Sequence, residues 1–178
     1  MISFWLVATA VVGLVAETPI QEALSGEEFA PKGGNFAVRF PGKPKQSTQK
    51  TKSPLGEVTV NTATYATKDG DVYMVSYSDL PSGATKAENL DTLFEGVRDG
   101  AKGKDSKIVV RVGERFEFGS DKLQGYKLEL FNEKSDQYVK LRVIVRENRL
   151  FQIAVVGSKD FAQGKDAAEF LKSFDITK

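Results

Sequence analysis

The chain contains no histidine and no cysteine. Its chemically active side chains are therefore 24 acids, 25 lysines and arginines, and the hydroxyl residues. Losing histidine removes the commonest general base and the commonest metal ligand. Ser-His-Asp and Cys-His nucleophiles are impossible, as are disulfides and the usual zinc sites. Carboxylate-only and Ser-Lys chemistry remain open, but no spacing of acids or lysines singles out such a pair. Asp69 and Asp71 flank Gly70 as a calcium pair would, yet two acids in a turn fall short of the six to eight oxygen ligands calcium takes. No catalytic, cofactor-binding or metal-ligating residue is assigned, and the chain reads as a non-enzyme.

Binding surfaces are better marked than reactive centres. In the segment Leu123 to Val156, Val139, Leu141, Val143 and Val145 alternate with Tyr138, Lys140, Arg142, Ile144 and Arg146. A period of two puts the first row in a core and the second, mostly cationic, on the opposite face of a strand. Tyr138, Lys140, Arg142 and Arg146, with Lys127 and Glu129 on the preceding strand, form the candidate partner-binding face. Tyrosine and arginine suit interfaces, through area at low entropy cost and forked hydrogen bonds. The competing reading is a wet sheet face whose cross-strand ion pairs contribute about 0.2–1 kcal/mol each. Tyr65, Tyr73 and Tyr77, with Val75, are candidates to line an apolar pocket or to fill a core. Lys43, Lys45, Lys50 and Lys52 occur without an intervening acid, which fits an anion-binding patch or a solvated loop.

These residues need a sheet to position them. The chain has 178 residues and a net charge of +1, which fits one domain and argues against a general nucleic-acid binder. A first strand is expected at Asn35 to Phe40, stopped by Pro41-Gly42-Lys43-Pro44, with Lys43 to Pro54 as a loop. Glu57 to Thr67 and Val72 to Asp79 read as a hairpin turning at Asp69-Gly70, with a type I′ turn. Thr85 and Glu88 have capping-box spacing ahead of the helical stripe Leu90, Leu93, Phe94 and Val97, which Gly100 should end. Two short strands, Ser106 to Val112 and Arg115 to Phe118, precede a three-stranded meander over Leu123 to Val156. A last helix lies within Asp160 to Phe174, starting near Lys165 because of Gly164.

Ile2 to Ala16 is almost wholly apolar. Fifteen residues are few for a spanning helix, which needs about 20, and they suit a signal peptide. The expected organisation is a signal peptide at 1–16, a leader at 17–34 and one α+β domain at 35–178. The mature protein is expected to be a monomer, periplasmic or extracellular, and the alternative is an uncleaved N-terminal membrane anchor.

The order of elements, together with several motifs, resembles the PsbP-like (Mog/PsbP) superfamily. The motifs are Phe40-Pro41-Gly42-Lys43-Pro44, Gly125-Tyr126-Lys127-Leu128-Glu129, Arg149-Leu150-Phe151-Gln152-Ile153 and Phe170-Leu171-Lys172-Ser173-Phe174. The chain is also similar to small exported bacterial proteins with an FPGKP opening. The resemblance implies a central antiparallel sheet of about six to eight strands flanked by helices, an α/β/α sandwich. It implies binding or assembly roles, as in extrinsic subunits of the oxygen-evolving complex, a nuclear-transport GTPase-binding protein and bacterial envelope proteins. It offers no catalytic residues, and the metal association of plant members, partly through histidines, has no matching residue here. The expected function is thus a non-catalytic exported protein that binds another protein or supports an envelope assembly, with no cofactor. The alternative is a carrier of a small apolar or anionic ligand, which would need a closed pocket above about 300 Å³.

Overall fold

The computed structural model describes residues 26–53, 56–103 and 107–177. The expected signal peptide, and the leader up to residue 25, lie outside them.

The described chain runs β1 (Glu27–Phe29), β2 (Phe36–Phe40), β3 (Lys45–Ser53), β4 (Gly56–Ala66), β5 (Val72–Asp79), α1 (Leu90–Lys102) and β6 (Ile108–Phe118). There follow β7 (Leu123–Asn132), β8 (Gln137–Arg146), β9 (Arg149–Gly157), α2 (Lys159–Gln163), α3 (Lys165–Ser173) and β10 (Asp175–Ile176). Seven strands form one sheet in the order β3-β4-β5-β9-β8-β7-β6, and β1-β2-β10 form a small second sheet. Every strand pair is antiparallel. The seven-stranded sheet falls within the expected six to eight. The molecule is nonetheless mainly β, with three helices of at most 13 residues among the described residues.

Alternation along β8 and β9 divides the core in two. Leu141, Val143 and Val145 join Leu90, Leu93, Phe94 and Val97 of α1. Ile144, Phe151, Ile153 and Val155 join Phe36, Val38 and Phe40 of β2 and Phe170 and Phe174 at the end of the chain. The second cluster is aromatic: Phe36 stacks on Phe174 at 5.5 Å, and Phe40 meets Phe170 at 5.1 Å. Each such side chain contributes about 1.5–3 kcal/mol when fully buried. The FPGKP and FLKSF motifs thus meet in space, each supplying aromatics to one cluster.

Several local expectations give way to tertiary context. Lys45–Ser53 is an edge strand, not a loop, because its backbone pairs along its whole length with β4. Glu27–Phe29, assigned to the leader, pairs with β2. The two short strands after α1 are one strand, β6, with a bulge between Val110 and Val112. The capping box does not form. Thr85 Oγ1 instead donates to Asn148 Oδ1 at 3.4 Å, and a 3₁₀ turn at Ala87–Asn89 leads into α1. The helix runs past Gly100 and stops at Gly103, whose φ of 61° suits glycine. Gly70 alone in the β4–β5 turn has positive φ, at 87°, so that turn is not type I′. At the C-terminus Gly164 separates two helices, α2 being capped by Ser158 Oγ, which accepts from Phe161 N at 3.2 Å.

Candidate functional site

The cross-strand register brings the six candidate residues onto one sheet face. Lys127 lies opposite Arg142, Glu129 opposite Lys140 and Phe131 opposite Tyr138. Arg146 belongs to the same row of β8. This is the face over which α2 and α3 pack, against β8, β9 and β2. The face is thus divided between the part of the sheet near β9 and the part toward β6.

Arg142 and Arg146 lie on the covered side. Arg142 Nη1 donates to Leu171 O at 3.0 Å, and Arg146 Nη1 donates to Thr177 O at 3.1 Å. Leu171 is in the last turn of α3, where helical carbonyls lack N–H partners and the dipole favours a cation. Burial pulls the Arg142 guanidinium below its usual pKa range. Both arginines are tied to the C-terminal segment, so the cationic row is not equally free along its length.

Lys127, Glu129, Tyr138 and Lys140 remain half-buried toward β6. Lys140 Nζ lies 3.5 Å from Glu129 Oε1, and Lys127 Nζ lies 3.4 Å from Glu114 Oε1. The Lys127 ammonium also sits 5.4 Å from the centre of the Phe116 ring. Phe131 and Tyr138 form an aromatic pair at 4.5 Å, and the Arg111 guanidinium lies 5.5 Å from the Phe131 ring. Phe131, Arg111, Glu114 and Phe116 join the patch without a mark in the sequence that singles them out. Phe131 was within reach, since it shares parity with Lys127 and Glu129. Arg111 was not, because it sits at the β6 bulge, where alternation fails. The patch offers an aromatic pair ringed by charge-paired side chains, a composition suited to a protein surface.

The tyrosine row separates into two roles. Tyr73 is buried, with Phe161 and Phe170 each at 5.1 Å, and its phenol is pushed up to about 12 by burial first, then by Asp166 and Asp71. Tyr77 and Val75 do line a cleft, together with Phe29, Phe36, Thr48 and Asn61. Its volume is about 50 Å³, room for a water or a small side-chain tip rather than a carried ligand. Among the described residues no group of three or more acids gathers to hold a metal. No helix among them is long and apolar enough to cross a membrane.

A seven-stranded antiparallel sheet with a three-stranded flap and a few helices is a PsbP-like fold. Among solved structures the chain is similar to the solution structure of cyanobacterial PsbP (CyanoP) from Synechocystis sp. PCC 6803. The TM-score is 0.59 at 13% identity, covering 90% of this chain and 98% of that one. It also aligns with the crystal structure of PA94 from Pseudomonas aeruginosa, a protein of unknown function. There the TM-score is 0.39 at 10% identity, covering 80% of this chain and 90% of that one. No protein-family model and no curated protein matches the chain.

Proposed function

We propose that this chain is a non-catalytic exported protein that binds another protein, or supports an envelope assembly, through the β6–β8 end of its sheet. The observation that carries this reading is the half-buried pair Phe131–Tyr138, flanked by Arg111 and by the Lys140–Glu129 ion pair. Aromatic anchors inside a polar, charge-paired rim are what binding energy concentrates on in interfaces. The PsbP-like fold supports a binding role, and the FPGKP opening supports membership of the exported bacterial group. The apolar run at 2–16 supports export with cleavage after Ala16. N-terminal sequencing of the protein recovered from expressing cells checks that step; a chain still beginning at Met1 favours the anchored form.

The test of binding is capture of partners from envelope extract by the wild-type protein and by Tyr138→Ala/Lys140→Glu. Arg142 is left intact because it holds α3. The double variant should lose a partner that wild type retains. If wild type and variant retain the same proteins, this face is not the interface.

A further inference from the structure

We propose that β3 is a docking edge for an extended acidic peptide from a partner protein, added to the sheet as an eighth strand. The proposal concerns the opposite end of the sheet from Phe131 and Tyr138, and so stands independently of the reading above.

The two sheet edges are built differently. β6 is interrupted by a bulge between Val110 and Val112, and its Arg115 is ion-paired to Asp91 of α1. Bulges, covering elements and edge lysines are ways to blunt an edge. β3 has only the lysines, which act against like-charged strands and not against an acidic one. Its register with β4 runs without a break from Lys45 to Ser53, it contains no proline, and Lys45 to Lys50 are six consecutive exposed residues. Among the described residues β4 is its only strand partner, which leaves the outward row of backbone N–H and C=O groups available for main-chain pairing.

Charge selects what pairs there. Residues 41–56 contain Lys43, Lys45, Lys50 and Lys52 and no acid; Glu57, 3.0 Å from Lys50, is the first to answer them. A second copy of β3 would bring one lysine-rich tract against another, which like-charge repulsion disfavours. An acidic strand meets the opposite condition. Beside β3, Gln46 and Thr48 line the 50 Å³ cleft together with Phe29, Phe36 and Tyr77. An apolar side chain of an added strand, projecting on the Gln46–Thr48 face, has that cleft to enter. Main-chain pairing for affinity and a neighbouring pocket for an alternate side chain are the two parts of strand addition.

The test uses the protein as isolated from its expressing cells and three eight-residue peptides. One carries a single central Val among seven Glu, one a single central Val among seven Lys, and the third is the Glu-Val peptide N-methylated at every residue, so that neither edge can pair. Amide hydrogen exchange of residues 45–53 is the readout. The Glu-Val peptide should slow exchange there at least tenfold. The Lys-Val and N-methylated peptides should not. Lys45→Glu/Lys50→Glu, checked for unchanged thermal stability, should weaken Glu-Val binding at least tenfold by fluorescence anisotropy, while Tyr138→Ala leaves it unchanged. Equal protection by the Lys-Val peptide, or by the N-methylated one, overturns the proposal. So does no protection at millimolar Glu-Val peptide, which would leave the lysines as guards of the edge only. Protection that appears without peptide and rises with protein concentration identifies a second copy as the occupant, and overturns it as well.

Discussion

The guanidinium of Arg142 donates from Nη1 to the carbonyl of Leu171 at 3.0 Å, tying the middle of β8, neighbour of the central strand β9, to the last turn of α3. Removing it leaves a helix-end carbonyl without its partner, in a half-buried position. Arg142→Ala should therefore cost about 1–3 kcal/mol in chemical denaturation. Lys140→Ala, two residues away and paired among the described residues only to Glu129 at 3.5 Å, should cost less than about 1 kcal/mol. Equal costs for the two would refute the distinction between a structural and an interface cation on this strand.

Arg149 and Asp79 make a second link, between the ends of β9 and β5. Nε and Nη2 meet the two carboxylate oxygens at 2.6 and 2.8 Å, and Nη1 donates to the carbonyls of Gly33 and Gly34 at 2.7 and 3.0 Å. A lysine lacks this fork, so Arg149→Lys should destabilise nearly as much as Arg149→Ala. The hydrogen bonds from Arg149 hold the Asp79 carboxyl below the usual carboxylate range. A depressed folded pKa stabilises above the unfolded value and loses that stabilisation as pH falls through the folded one. The stability gap between wild type and Asp79→Asn should be complete at neutral pH and close in acid, below about pH 4. Asp79 is 67% exposed, so screening keeps the gap under about 1 kcal/mol.

Tyr73 makes a prediction at the other end of the scale. With its phenol at about 12, against 10.0 for the free group, the folded state holds the proton more tightly than the unfolded chain. Its contribution is whole below about pH 10 and falls away as pH rises toward 12. Tyr73→Phe should make stability less steep over that interval, by up to about 1.4 kcal/mol per pH unit. Denaturation midpoints across the alkaline range check this, and parallel slopes for the two proteins would count against it.

Gly125 is buried on β7, where a Cβ would stand 2.6 Å from the Phe116 ring and 3.0 Å from the Val143 carbonyl. Gly125→Ala should cost about 1–3 kcal/mol through overpacking. Phe116→Leu alone should cost about 1 kcal/mol, yet recover part of the loss when combined with Gly125→Ala. A purely additive double-mutant cycle would mean that the ring is not what excludes the side chain.

Much of this fold is legible along the chain, because the apolar periodicities are strong. The stripe Leu90, Leu93, Phe94, Val97 marks α1, and the alternation of Leu141, Val143 and Val145 marks the inward row of β8. β3 is not legible, since KQSTQKTKS has no apolar alternation and only backbone pairing with β4 makes it a strand. The start of α1 is misread for a related reason. Thr85, whose spacing from Glu88 suits a cap, bonds instead to Asn148 from a distant turn.

For the candidate site, the division is similar. Residue type and parity alone place Lys127, Glu129, Tyr138, Lys140, Arg142 and Arg146 in rows opposite the apolar ones, because side chains alternate with a fixed period of two. Which of them stay available is settled by what lies across the sheet. The returning C-terminal segment takes Arg142 and Arg146 with its carbonyls, while the hairpin register sets Phe131 against Tyr138. A local pattern states which way a side chain points. Its neighbours there come from parts of the chain 29 and 31 residues away, or from a turn whose register must first form, and only the folded structure decides them.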